Sequence, residues 1–255
     1  MNHDRTSSKD QFGKSAEAYL TSAVHAQSDE LTRLVEFVNP SGGKVIDIGT
    51  GAGHMAYSFA PHVDQMIAFD LTPKMLEIVA RESQAKGLSN VTTQEGNAEE
   101  MPFADAEFDG VICRVAAHHF HHVDRFVSEV GRILKPGGWF LLVDTITPEE
   151  SDAAQTVDEI ERRRDPSHFH NLSVNEWTTL IEGSGMGVEK HTVRRKNLDF
   201  LDWVERMNVP AEDIAWLREK MSNLSGEAKD YFQWREIDGR NWFDLMEVTI
   251  LAKKS

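Results

Sequence analysis

Lys44-Val45-Ile46-Asp47-Ile48-Gly49-Thr50-Gly51-Ala52-Gly53-His54 is the stretch that decides the fold. Residues 45–48 read as a short buried strand carrying one acid, Asp47. Glycines then stand at every second position, and a helical segment follows. Strand, glycine turn, helix is the order in which an open α/β sheet presents its edge to a nucleotide. A side chain at the turn would hold a ligand's sugar off the backbone, and turns of this kind use positive φ at some positions. The spacing is Gly-x-Gly-x-Gly, which serves several ligand classes, so the turn alone does not choose among them.

Downstream, residues 65–69 form a second strand that finishes on Asp70, 21 positions after Gly49. That is the distance at which a βαβ unit delivers an acid to a ribose. A carboxylate there can accept from both ribose hydroxyls, or it can cap the helix expected over 73–86. The pair does not separate a nicotinamide enzyme from other nucleotide binders. A third strand (91–95), a fourth (108–113), a helix (124–134), a Lys135-Pro136-Gly137-Gly138 break and a fifth strand (139–143) complete a repeated β-α rhythm. This calls for a parallel sheet with helices on both faces.

Upstream, Ser28 can cap a helix whose face carries Leu31, Leu34, Val35 and Val38, stopped by Asn39-Pro40. Residues 1–30 are polar with scattered apolar anchors and suggest one or two short helices. Beyond Asp144 the pattern predicts a helix over 147–164, a break at 165–168, and a helix from Ser173 with Glu176 completing a capping box. A strand (188–195), helices near 198–207, 211–221 and 227–233, an Asp238-Gly239 turn and a final strand (247–252) follow.

The 255 residues fit one large domain, and no apolar run is long enough for a membrane span. The polar start Met1-Asn2-His3-Asp4-Arg5 does not read as a secretory leader, and a lone cysteine, Cys113, fits a reducing cytoplasm. A formal charge of −15 argues against a nucleic-acid partner. Two basic runs, Arg162-Arg163-Arg164 and Arg194-Arg195-Lys196, read either as solvated charge or as an anion patch.

Four features run in order: the glycine turn with its strand, Asp70-Leu71-Thr72, Gly96-Asn97-Ala98-Glu99-Glu100-Met101-Pro102-Phe103, and Arg132-Ile133-Leu134-Lys135-Pro136-Gly137-Gly138. As a set they resemble the class I S-adenosylmethionine-dependent methyltransferases, in the ubiquinone/menaquinone-biosynthesis-like (type 11) small-molecule branch. The resemblance implies a Rossmann-like doubly wound sheet, mostly parallel with an antiparallel last strand, plus a helical cap. It divides one domain into an N-terminal cap (1–30), a cofactor core (31–146) and a C-terminal part (147–255) with a cap insertion near 197–240.

It also assigns roles. Asp47, Gly49, Thr50, Gly51 and Gly53 would approach the methionine part and ribose of S-adenosyl-L-methionine, with S-adenosyl-L-homocysteine as product. Asp70 would take the ribose hydroxyls, with Leu71 and Met75 near the adenine and Asn97, Ala98 and Glu99 at its edge. The family more often has Asp where Asn97 stands. Arg114 would pair with the cofactor carboxylate or brace Asp109. His54 reads as near the ligand or as a surface helix start.

His118, His119, His121 and His122 fall past the fourth strand, at the edge where ligands bind. Adjacent histidines diverge and no HExxH glutamate is present, so no metal is expected. The cluster is either structural or part of the transfer pocket, with His119 favoured over His118 as a base. Tyr19, His25, Asp144, His168, Trp203, Arg206 and Met207 are candidate acceptor-pocket residues, although Trp203 and Met207 share a face that plain packing also explains. The expected reaction is C- or O-methylation of a small, partly apolar acceptor by a cytoplasmic monomer or homodimer. A binding protein without turnover and a nicotinamide-dependent oxidoreductase are the rival readings.

Overall fold

The computed structural model describes residues 28–255. Its strands are β1 (Lys44–Ile48), β2 (Gln65–Asp70), β3 (Val91–Glu95), β4 (Phe108–Arg114), β5 (Leu134–Thr145), β6 (Met186–Asp199), β7 (Arg235–Ile237) and β8 (Arg240–Lys254). They form one sheet in the order β3-β2-β1-β4-β5-β8-β6, with β7 paired to β8. Strands β1 to β5 are parallel, and β8 runs antiparallel to both β5 and β6. Chain order reverses between β1 and β4, the place where such sheets open a crevice for ligands.

The described helices are α1 (Ser28–Val38), α2 (His54–Phe59), α3 (Pro73–Ala85), α4 (Val123–Ile133), α5 (Ser151–Arg164), α6 (Val174–Gly183), α7 (Phe200–Glu205), α8 (Ala211–Ser222) and α9 (Gly226–Phe232). One sheet face packs Val45, Met66, Ile112 and Leu141 against Leu31, Leu34, Phe59 and Val79 of α1 to α3. The other packs Ile46, Ile48, Phe140 and Leu142 against Phe126 of α4 and Trp177 of α6. Strand β1 is therefore covered on both sides, which is why it reads as an almost unbroken apolar run.

Local chemistry sets the helix ends. The Glu150 carboxylate accepts from the Asp152 and Ala153 N–H groups, so α5 begins at Ser151 and not at Thr147. Ser173 and Glu176 form the expected capping box. Asp199 caps α7 by accepting from Asp202 N–H, which leaves Leu198 on β6. The Lys135–Gly138 break is a bulge inside β5: Leu134 pairs with Phe108, and Trp139 next pairs with Gly110.

Strand β8 outruns its neighbour. Its last partner on β5 is Thr145, opposite Glu247, while Arg240 to Met246 continue past the sheet's carboxyl edge, paired with β6 and β7. At about 3.4 Å per residue the overhang is roughly 20 Å. A third apolar cluster forms on it, joining Val157 and Ile160 of α5 to Trp203, Leu217, Phe232 and Phe243. The buried Tyr231 ties this cluster to the sheet: its hydroxyl donates to the Ile146 carbonyl (2.7 Å) and accepts from Met246 N–H (3.2 Å).

Both basic runs are paired. Arg162 faces Asp158, Arg163 meets Asp213, and Arg164 donates to the Trp203 carbonyl. Arg194 bridges Glu30 and Glu247, Arg195 donates to the Tyr231 carbonyl, and Lys196 faces Glu247. Removing the hydroxyl that spans cap and sheet leaves a buried carbonyl and an amide each short of a partner. Tyr231→Phe is expected to cost about 1–2 kcal/mol in urea unfolding, with the slope unchanged.

Candidate active site

The turn after β1 is held by two acids. Asp47, 2 % exposed, accepts through Oδ2 from the Thr50 hydroxyl (2.6 Å) and from Ala56 N–H (3.2 Å). Burial, aided by the nearby Asp70, pushes its carboxyl up to about 7 against those hydrogen bonds. Asp70 ends β2 and accepts from Gly51 N–H through Oδ2 (2.9 Å) and from Thr72 N–H through Oδ1 (2.8 Å). Burial raises its pKa as well. The N-cap of α3 is Thr72, so Asp70 is not the cap.

Gly49, Gly51 and Gly53 all sit at positive φ (66°, 52° and 84°). A Cβ on Gly49 would stand 2.6 Å from the Ala116 Cβ, so the loop after β4 lies directly on the glycine turn. A Cβ on Gly51, by contrast, would meet no described atom within 4 Å, so the backbone there faces open space. Leu71, just past Asp70, is 45 % exposed, whereas Met75 is buried. Ala98 packs with Phe69 and Met101, and the exposed Asn97 accepts from Glu99 N–H through Oδ1.

The loop after β4 begins under strain. Val115 is held at φ 53° and exposed, a left-handed conformation that costs a β-branched residue about 1–2 kcal/mol. A single 3-10 turn over Ala117–His119 follows. His118 Nδ1 meets Asp144 Oδ1 at 2.6 Å, and the other Asp144 oxygen accepts from His118 N–H (3.2 Å). Burial works against protonation of His118, but Asp144 overrides it and raises the imidazole's pKa. His119 is different: burial and the neighbouring His118 push it down to about 3. Its Nδ1 meets the Ser167 carbonyl at 3.0 Å. The His118 ring lies between those of His119 (4.2 Å) and His168 (5.4 Å).

A methyltransferase-domain family (Methyltransf_11) matches residues 46–142, the part of the chain that builds this edge. The uncharacterized methyltransferase YcgJ of Bacillus subtilis is 36 % identical over 222 residues, which are 87 % of this chain and 88 % of that one. Its crystal structure superposes with a TM-score of 0.85 at 34 % identity, covering 89 % and 98 % of the two chains. The uncharacterized protein YafE of Escherichia coli is 37 % identical over 200 residues, 78 % of this chain and 96 % of its own. A demethylmenaquinone methyltransferase of Deinococcus radiodurans is 33 % identical over 108 residues, 41 % and 44 % of the two chains.

The chain belongs to the S-adenosylmethionine-dependent methyltransferases.

The residues present fit that cofactor. A glycine backbone open to approach, a carboxylate closing β2 and an exposed leucine beside it are what an adenosine needs for its sugar, hydroxyls and base. Asp70 stands at the end of β2 against the open Gly51 backbone, where a carboxylate is the acceptor type that ribose hydroxyls need. Two expected cofactor contacts find other partners. Glu99 Oε1 accepts from the His121 and His122 N–H groups and thereby anchors the start of α4. Arg114 does not brace Asp109, which lies at the opposite end of β4 and is held by Lys135 and by Lys44 N–H. Arg114 instead pairs with Glu30 (2.8 Å). Burial raises the Glu30 pKa, but Arg114 and Arg194 hold it down at about 2.

Of the two candidate histidines, His118 is the one whose ring nitrogen meets Asp144, whereas His119 Nδ1 faces the Ser167 carbonyl and hydroxyl. Asp144 is brought to the site, and His168 stands behind it with Nε2 on Asp158 (3.0 Å). Trp203 and Met207 belong to the cap's own apolar cluster, and Arg206 is an exposed residue bonded to the Asp202 carbonyl, so these three are placed by the cap. Tyr19 and His25 lie outside the described residues, and His54 is half-buried at the start of α2. Asp158, Glu161 and Asp165 do not stand out in the sequence, yet they recur at helical spacing along and just beyond α5; acids sharing the buried side of that helix with Val157 and Ile160 are the signal that points to them.

Removing the Asp70 carboxylate takes two bonds from the turn and the acceptors offered to ribose. Asp70→Ala is expected to weaken S-adenosylhomocysteine binding at least tenfold, about 1.4 kcal/mol, by calorimetry.

Proposed function

We propose that this methyltransferase alkylates an oxygen or an acidic carbon of a small, partly apolar acceptor, with His118 as general base and Asp144 orienting it. The observation that carries this reading is the 2.6 Å contact between His118 and Asp144, on a loop that rests against Gly49. When bound, S-adenosylmethionine supplies an electrophilic methyl group on sulfur and leaves as S-adenosylhomocysteine. The protein's part is to position, to exclude water and to take a proton.

With Nδ1 held by Asp144, Nε2 is the nitrogen that receives the acceptor's proton. The buried carboxylate then stabilises the imidazolium that forms. An imidazole as weakly basic as His119 does this poorly near neutral pH, which makes it a packing partner in the stack. Val115 and Phe120, on either side of the histidines, supply apolar surface for the rest of the acceptor. The match to the demethylmenaquinone enzyme covers too little of the chain to transfer its substrate, so the acceptor class rests on these residues alone.

In methyl-transfer assays over an acceptor panel, His118→Ala is expected to lower kcat by roughly 10²–10⁴ with S-adenosylhomocysteine affinity unchanged, and His119→Ala by far less. Turnover in the His118 variant at the wild-type rate would remove the base. The pH profile has a definite sign. A base is active when neutral, so the rate climbs with pH through an inflection above the ordinary histidine value of 6.5. In Asp144→Asn the carboxylate that raises His118 is gone while burial remains, so the inflection moves to lower pH as kcat falls.

A further inference from the structure

Behind His118 lies polar surface that proton transfer leaves unused. Asn171 is 1 % exposed, yet among the described residues neither its Oδ1 nor its Nδ2 has a hydrogen-bond partner. Glu161 is 7 % exposed, and its Oε1 is orphaned in the same way. Each unpaired buried group costs about 1–3 kcal/mol. Folded chains satisfy nearly all such groups, and the exceptions gather where something else completes them.

The backbone carries Asn171 into the neighbourhood of His118 and the end of β5. The Phe169 and His170 N–H groups both donate to the His118 carbonyl (2.8 and 3.2 Å), and the Leu172 carbonyl accepts from Thr147 N–H (3.3 Å). Asn171 is thus carried between two anchors that flank Asp144 in the chain. Its own N–H donates to Asp158 Oδ1 (3.0 Å), the same oxygen that meets His168, whose ring stacks on His118. Glu161 stands one helical turn after Asp158 on the buried side of α5.

We propose that Glu161 and Asn171 form the polar floor of the acceptor pocket and select an acceptor with an enolic or phenolic hydroxyl beside a carbonyl. The assignment rests on reading His118 and Asp144 as the acceptor end of the site. A carboxyl oxygen accepts from the hydroxyl, and the amide Nδ2 donates to the carbonyl. The amide Oδ1 is left for a second donor. An isolated alcohol or an isolated ketone satisfies only part of this set, and a site with buried polar groups rejects ligands that leave them unpaired.

The test is binding, and it needs no turnover. The full chain, saturated with S-adenosylhomocysteine, is titrated in a calorimeter with maltol, which carries an enolic hydroxyl next to a ring carbonyl. The controls are 2-methyl-4-pyranone, without the hydroxyl, and phenol, without the carbonyl. Maltol is expected to bind at least about tenfold more tightly than either control. Asn171→Leu and Glu161→Gln are each expected to reduce that preference to about threefold or less with cofactor affinity intact. Asn171→Leu should melt no lower than the parent, because it replaces an amide that pairs with nothing.

Equal binding of the three probes, absence of maltol binding, or a preference that survives in both variants would overturn the proposal, leaving the orphans as hosts for trapped water. A failed base assignment shows differently. His118→Ala would then turn over normally, and the maltol preference would stand.

Discussion

The carboxyl edge depends on how closely the loop after β4 can approach the turn after β1. Ala116 occupies space that any side chain on Gly49 would claim, so the two loops meet backbone to side chain with nothing between them. Asp47 and Asp70 keep the turn in that shape, Asp47 through Thr50 and Ala56 that follow it, Asp70 by reaching across to Gly51 N–H while its other oxygen holds Thr72 N–H. The acids conventionally assigned to the ligand are thus also the acids that shape its cradle. Their raised pKa values record the cost of holding two carboxyls out of water a few residues from the same turn.

A second layer of charge fixes the surrounding segments. Glu30 at the start of α1 joins Arg114 of β4 to Arg194 of β6, and Arg194 continues to Glu247 of β8. Four elements from distant parts of the chain meet in one network. The basic run that offered itself as an anion site is consumed there. On α5, Asp158 gathers His168, His170 and the Asn171 amide, and the pairing depresses its pKa against the effect of burial. The histidine-bearing segment 168–171 is held to α5 through this acid.

How much of this could be read beforehand follows from burial. Strands β1, β2 and β4 are covered on both faces, so their apolar runs announce them to within a residue. Strand β6 is an edge with most of its residues exposed, and only its middle looked like a strand; its buried ends, Met186 and Asp199, are separated from that middle by exposed or polar residues that break the pattern. The cofactor motifs were legible because spacing along the chain places them. The base was not. Asp144 and His118 are 26 positions apart, and their meeting is decided by which side of β5 Asp144 takes, the same side as Phe140 and Leu142. Read from sequence, His119 is favoured, and it is the Asp144 contact that turns the proposal to His118. The orphaned Asn171 and Glu161 were invisible for a related reason, since an unsatisfied atom is defined by what fails to surround it.

The overhang of β8 bears on how a small molecule enters and leaves. The helices above the carboxyl edge are rooted in two strands paired from Met186–Lys254 at one end to Asp199–Trp242 at the other, and the one register shift, between Val188 and Lys190, lies far from the overhang. A hinge needs a few residues free to change φ and ψ, and a fully paired ladder supplies none there. This roof cannot swing as a rigid lid without tearing the sheet on which it stands. The loop 165–172 is likewise fastened, to the His118 carbonyl by two backbone hydrogen bonds and to Asp158 by its histidines and the Asn171 amide, so the whole described roof is built as a fixed wall and not as a moving one.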